Sequence, residues 1–356
     1  MITSRIFILL FFAVTILALP FGATAGKPVG LRVNTTHGLE NARGAIIDAG
    51  LSLKTDVAVT ASSATDGTPF LPPDKLLADA RTVGATIMSS SFSGWHTTYD
   101  SLGYLKLTAN NLVHVFAYEP RKPQPKNSPP PAAFVTVNKI GGKSGDGIEF
   151  GVPTTYMNGK GMSPYPSGVT AQLAGLMACL KHLHPSWNWF DIKAALRTTA
   201  GNYATGYDPG RYGYGAIDYH AANALVEAAQ LPLFAPAAVT FSTDPKSGDQ
   251  IRFFVNSFKQ TRRAKDALFK FSVPPAVHLQ ALTLPEIRAR GGELVFSGDL
   301  SKSTNIYTYQ AMQDEILYFI WFTLDSNGIH SRIEPYSIIG PVKLTAKNRP
   351  LYGPRL

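Results

Sequence analysis

Near residue 231 the period of the apolar residues changes, and that change limits the folds open to this chain. Before it, short apolar runs alternate with amphipathic helical stretches. "DVAVTAS" (56–62) is followed by "DKLLADARTVG" (74–84), then "ATIMSSSF" (85–92), "YDSLGYLKLTANN" (99–111), "LVHVFAY" (112–118) and "AAFVTVNKIGG" (132–142). Strand, helix and strand at this spacing predict βαβ crossovers, hence a parallel sheet flanked by helices, with any site beyond the carboxyl ends of the strands. After it, apolar residues recur at every second position in "IRFFVNSF", "ALFKFSV", "ELVFSG" and "NIYTYQA", and a hairpin is expected to turn at Asn327-Gly328. The expected fold is an α/β domain over 27–230, a linker over 231–238 whose "LPLFAPAAV" carries the prolines, an all-β, sandwich-like domain over 239–346, and a tail over 347–356.

Residues 1–25 read as a targeting segment. Arg5 precedes the uncharged run "IFILLFFAVTILAL", and "ATA" ending at Ala25 supplies a small-residue cleavage site. The run is short for a membrane span, and no later segment is long and apolar enough. The expected product is therefore secreted or periplasmic. One cysteine, Cys179, excludes an internal disulfide and a cysteine-based zinc site. The net charge of +9 is spread over separate short clusters such as "EPRKPQPK" and "KQTRRAK", without the basic helix or aromatic-basic ribbon of a nucleic-acid binder. No calcium-loop or nucleotide-binding signature is present, so no cofactor or metal is expected. The expected partner is a peptide or protein, and the oligomeric state is left open.

"YPSGVTAQLAGLMACL" (165–180) sets Ser167 at the start of a small-residue helix. Read alone, Ser167 is either a helix N-cap or a nucleophile at a helix mouth. The helix continues through "KHLHPSWNWFDIKAALRTTA", in which Asn188 and Asp191 have the spacing of a capping box, and "RYGYGAIDYHAANAL" (211–225) follows. Together these segments resemble the carboxyl-terminal part of the subtilisin-like serine protease (subtilase, peptidase S8) family: its G-T-S-x-A-x-P-x-V-A-G helix, its H-P-x-[W/L] corner and its closing G-x-G-x-[IV]-[DN] hairpin. "RTVGATIMSSSFSG" resembles the family's substrate-lining strand, and "THGLENARGAIIDAGL" resembles its H-G-T helix and following turn.

The resemblance implies serine-nucleophile hydrolysis of peptide bonds. Ser167 takes the nucleophile position, His37 that of the imidazole, and Ser91, Phe92, Ser93 and Gly94 the substrate strand. Ser163 is a second serine candidate outside the motif frame. For the carboxylate, Asn34 stands at the aspartate position if "VGLRVNTT" is the strand that precedes it. Asp48 in "AIIDAGL" is the acidic alternative, although it follows His37 where the family's aspartate comes first. Glu119 falls at the oxyanion position, where the family has an amide donor, and a carboxylate only accepts hydrogen bonds. The catalytic set is thus expected to be degraded. An active peptidase, a pseudopeptidase that binds without cleaving, and a structural envelope protein all stay open.

Overall fold

The computed structural model describes residues 27–33, 36–61, 73–91, 107, 110–117, 134–140, 148–153, 165–205, 211–225, 231–233, 239–243, 250–255, 264–276, 280–298, 305–310, 315–333 and 338–343. The expected targeting segment, Ser163 and most of the helix expected over 99–111 lie outside these residues.

Six strands form one parallel sheet: β1 (Val29–Val33), β2 (Val57–Ala61), β3 (Ile87–Ser90), β4 (Val113–Ala117), β5 (Phe134–Lys139) and β6 (Phe150–Val152), in the order β2-β1-β3-β4-β5-β6. The segment "VGLRV" thus lies inside the sheet, paired with β2 on one side and β3 on the other. Helices α1 (Thr36–Asp48) and α2 (Pro73–Thr82) make the first two crossovers. After β6 come α3 (Pro166–Leu183), α4 (Trp189–Thr199) and the short α5 (Tyr219–Asn223).

Strand alternation divides the sheet's side chains between two cores. Ile87, Val113 and Val115 join Leu31 and Val33 beneath α1 and α3. Met88 and Phe116 pack on the other face with Leu76 and Ala80 of α2. Helix α3 is enclosed on all sides, since every residue from Gly168 to Leu180 is buried. At its carboxyl end Leu183 is 41% exposed. Cys179 lies in this core, where burial pushes its thiol up to about 12.

Two glycines answer to close approaches. A Cβ on Gly175 would sit 2.9 Å from the Ala42 carbonyl oxygen, so the glycine lets α3 and α1 meet backbone to backbone. Gly215 has φ +98, and a Cβ there would lie 2.7 Å from the Asn202 nitrogen. That turn seats the closing segment on β6 through Gly151 N–H to Gly215 O and Ile217 N–H to Gly151 O. Beneath it, Arg197 donates to Glu149 Oε1 at 2.8 and 2.6 Å, and Lys193 Nζ lies 3.1 Å from Glu149 Oε2, all three side chains being buried. The capping box at Asn188 forms as its spacing predicts.

The second unit has two antiparallel sheets. Strands β7 (Val239–Thr243), β8 (Gln250–Val255) and β11 (Asn305–Gln310) form one, and β9 (Lys265–Phe271), β10 (Glu293–Gly298), β12 (Ile316–Leu324) and β13 (Ile338–Lys343) form the other. Ile251 and Phe253 of β8 meet Phe319 and Trp321 between the sheets. The outer face of the four-stranded sheet is covered by α6 (Leu284–Ala289), a helix the sequence reading did not anticipate. With both faces of its sheet covered, β12 is almost continuously apolar. The turn at Asn327-Gly328 forms, with Gly328 at φ +76, but beyond it the described residues make isolated bridges at His330, to Leu324 and to Leu282, and β13 comes later. Leu231, placed in the linker by its prolines, is buried in the α/β core.

Candidate functional site

The amino end of α3 is the candidate site. Its N-cap is Tyr165, extended at φ −77 and ψ 158, and Pro166 occupies the first helical turn. Ser167 is therefore inside the helix and does not cap it, which removes the simpler of the two sequence readings. Proline is well placed there because it has no N–H to satisfy and its φ already suits a helix. Gly168 and Val169 N–H both donate to the Tyr165 carbonyl, at 2.9 and 3.2 Å. The half-buried Ser167 keeps its N–H and Oγ without a hydrogen-bond partner among the described residues. A free donor at the positive end of a helix is where an oxyanion is best received. Tyr165, 66% exposed, stands beside it.

Helix α1 runs alongside α3 in the same direction. Gln172 Nε2 donates to Asn41 Oδ1 at 3.1 Å, and three residues further on Gly175 touches Ala42 and Ala45. Counting back, Ser167 lies five residues before Gln172 and His37 four before Asn41. At 1.5 Å per residue both first turns lie about 6–8 Å before the Gln172–Asn41 contact, at the same end of the helix pair. The His37 side chain is outside the described residues.

Asp48 does not belong to this site. It ends α1, eleven residues after His37, so about 16 Å of helix separates them, and its side chain is exposed. The strand that leads to the site is β1. It ends at Val33, α1 begins at Thr36, and the two residues between are Asn34 and Thr35. The first turn of α1 carries no acidic residue. Asn34 and Thr35 lie outside the described residues, but neither has a carboxylate.

The end of β3 reaches the site from below. Ser91 Oγ donates to the Ser167 carbonyl at 3.0 Å, so this hydroxyl is turned toward α3. Phe92, Ser93, Gly94 and Glu119 fall outside the described residues. Sequence reading missed the pair on the opposite face, where Ser90 Oγ and His114 Nε2 are 2.6 Å apart. His114 is buried with its ring tilted against that of Phe116, centroids 3.7 Å apart, and desolvation lowers its pKa to about 3. The only available signal was a histidine set within an apolar strand, which does not reveal the partner on the neighbouring strand.

No family model matches the sequence, and no curated protein matches it. Solved structures do match in fold. MycP1 with its propeptide removed aligns at 18% identity over 57% of this chain and 92% of its own, with a TM-score of 0.40. Fervidolysin from Fervidobacterium pennivorans, a keratinolytic enzyme related to subtilisin, aligns at 12% identity over 92% of this chain and 76% of its own, with a TM-score of 0.42. Tripeptidyl peptidase 2 aligns at 13% identity over 85% of this chain but only 30% of its own length, with a TM-score of 0.44. At identities of 12–18%, the likeness to these proteins is one of fold alone.

Proposed function

We propose that this chain is an exported, subtilisin-like pseudopeptidase that binds extended peptide or protein segments at the amino end of α3 and does not cleave them. The observation that carries this reading is the two-residue link from β1 to α1. A carboxylate is needed at that point to hold and charge-stabilise an imidazole, and the link supplies only Asn34 and Thr35. An asparagine in place of a triad aspartate costs roughly 10⁴ in turnover elsewhere. The Ser167 N–H, without a partner among the described residues, the exposed Tyr165 ring and the strand end at Ser91 support binding of an extended chain at the same place.

The test pairs labelling with binding. Purified protein and its Ser167→Ala variant are exposed to a fluorescent fluorophosphonate between pH 5 and 9, and fluorescein-labelled casein peptides are titrated and read by anisotropy. Peptide binding with no Ser167-dependent labelling is expected. Labelling that Ser167→Ala abolishes overturns the pseudopeptidase reading in favour of an active serine peptidase, the second reading, which the unengaged Ser167 hydroxyl favours. Export rests on "IFILLFFAVTILAL" and the small-residue site ending at Ala25, and amino-terminal sequencing of the mature protein is expected to begin at Gly26. Among the described residues no helix is long and apolar enough to cross a membrane.

A further inference from the structure

The end of β3 is tied from both faces of the sheet. On the α2 face, Ser90 Oγ meets His114 Nε2 of β4 at 2.6 Å, and both residues are buried. His114 sits beside Met88 and Phe116 in an apolar cluster that also holds Leu76, Ala80, Leu107 and Leu112. On the α3 face, one residue later, Ser91 Oγ donates to the carbonyl of Ser167 at 3.0 Å. These are adjacent residues whose side chains point to opposite sides, as strand alternation requires. One side chain locks the strand end to its neighbour and the other reaches the first turn of the helix. The sequence places Ser91 on the wall that a substrate would line, but the structure gives its hydroxyl to the helix.

Within the first turn of α3 itself, little fixes its position against the sheet. No side chain caps it, and Pro166 contributes no N–H. The backbone bonds of Gly168 and Val169 to Tyr165 are internal to the turn and fix nothing relative to the sheet. Thr170 Oγ1 likewise bonds back within the helix, to the Pro166 carbonyl at 2.7 Å. We infer that Ser91 is a positioning residue: its bond to the Ser167 carbonyl sets the first turn of α3 against the end of β3, with Ser90 and His114 as the fixed anchor behind it. The turn it positions is the one carrying the N–H and hydroxyl of Ser167, so the inference rests on the proposal that this turn is the functional site. The geometry of the clamp does not depend on whether cleavage or binding occurs there.

Backbone amide exchange in full-length protein tests this, compared among the natural protein, Ser91→Ala and Ser91→Thr. The region read is 165–172, with the core strands β1 and β4 as an internal reference. Removing one hydrogen bond of ordinary strength is expected to speed exchange in the first turn of α3 about fivefold. The reference strands should not accelerate more than this turn, and Ser91→Thr, which keeps the hydroxyl, should restore slow exchange. Exchange at 165–172 that Ser91→Ala leaves unaltered overturns the assignment. So does acceleration that threonine fails to rescue, since it makes Ser91 an ordinary packing residue. Casein-peptide anisotropy on the same samples separates the two claims. A local exchange effect without peptide binding retains the clamp and removes the binding function, and binding without the exchange effect does the reverse.

Discussion

Acid should unfold this protein through His114 in particular, and the size of the effect follows from where the imidazole lies. The side chain is buried among Phe116, Met88 and the α2 residues Leu76 and Ala80, with Ser90 as its hydrogen-bond partner. Its Nδ1 is buried with no partner among the described residues. Protonation would place a charge there without a counter-charge, so the folded-state pKa drops from 6.5 to about 3. The unfolded chain takes up a proton as the pH falls through 6.5, whereas the native state resists until about 3. Stability from this group is therefore complete above pH 6.5 and is lost progressively toward pH 3. A gap of about 3.5 units at ~1.4 kcal/mol per unit is on the order of 5 kcal/mol, a large share of a typical domain's stability. Urea unfolding of natural protein and His114→Gln, at half-unit steps from pH 7 to 4, measures it. Carboxylates titrate in both proteins and cancel in the difference. The natural protein is expected to lose about 1.4 kcal/mol more per pH unit below 6 than the variant, whatever cost the substitution carries at pH 7. Parallel stability curves would refute the reasoning, because they would mean that His114 can be charged where it sits.

Two further outcomes concern how the core holds the site. Gly175→Val should cost about 1–3 kcal/mol and lower the melting temperature by roughly 5 °C, because a Cβ there meets the Ala42 carbonyl at 2.9 Å and forces α1 from α3; an unchanged melting temperature would contradict the backbone contact. Glu149→Ala should cost about 3–5 kcal/mol in urea unfolding, because it removes the carboxylate that the buried Lys193 and Arg197 share. The double change Glu149→Ala with Lys193→Met should be less damaging than the single one, and a strictly additive pair would argue against the shared contact.

Local signals carried much of the fold. Alternating apolar runs and amphipathic stretches gave β2, α2, β3 and β4, and the capping box gave the start of α4, because hydrogen bonding and capping act over a few residues. The helix α6 was less legible: "LPEIRAR" reads as a charged cluster, and its role in covering β12 depends on a sheet formed from distant segments. Likewise β6 is only three residues long, and its place in the sheet depends on pairing with β5 and the closing segment around Gly215.

For the site, the sequence by itself determined that Ser167 stands at the amino end of a small-residue helical stretch and that no carboxylate stands between "VGLRV" and "THGLE", since both are properties of the covalent chain. Only the tertiary structure decided the rest. It made Tyr165 the cap and set Ser167 within the helix, because backbone angles at Pro166 depend on how α3 enters the core. Asp48 went to the far end of α1 because thirteen helical residues form a rigid rod, which a motif read as text does not reveal. Ser91 was turned to the Ser167 carbonyl and Ser90 to His114 because the two faces of a strand diverge, and which neighbour each face meets is fixed by the packing of helices far away in sequence.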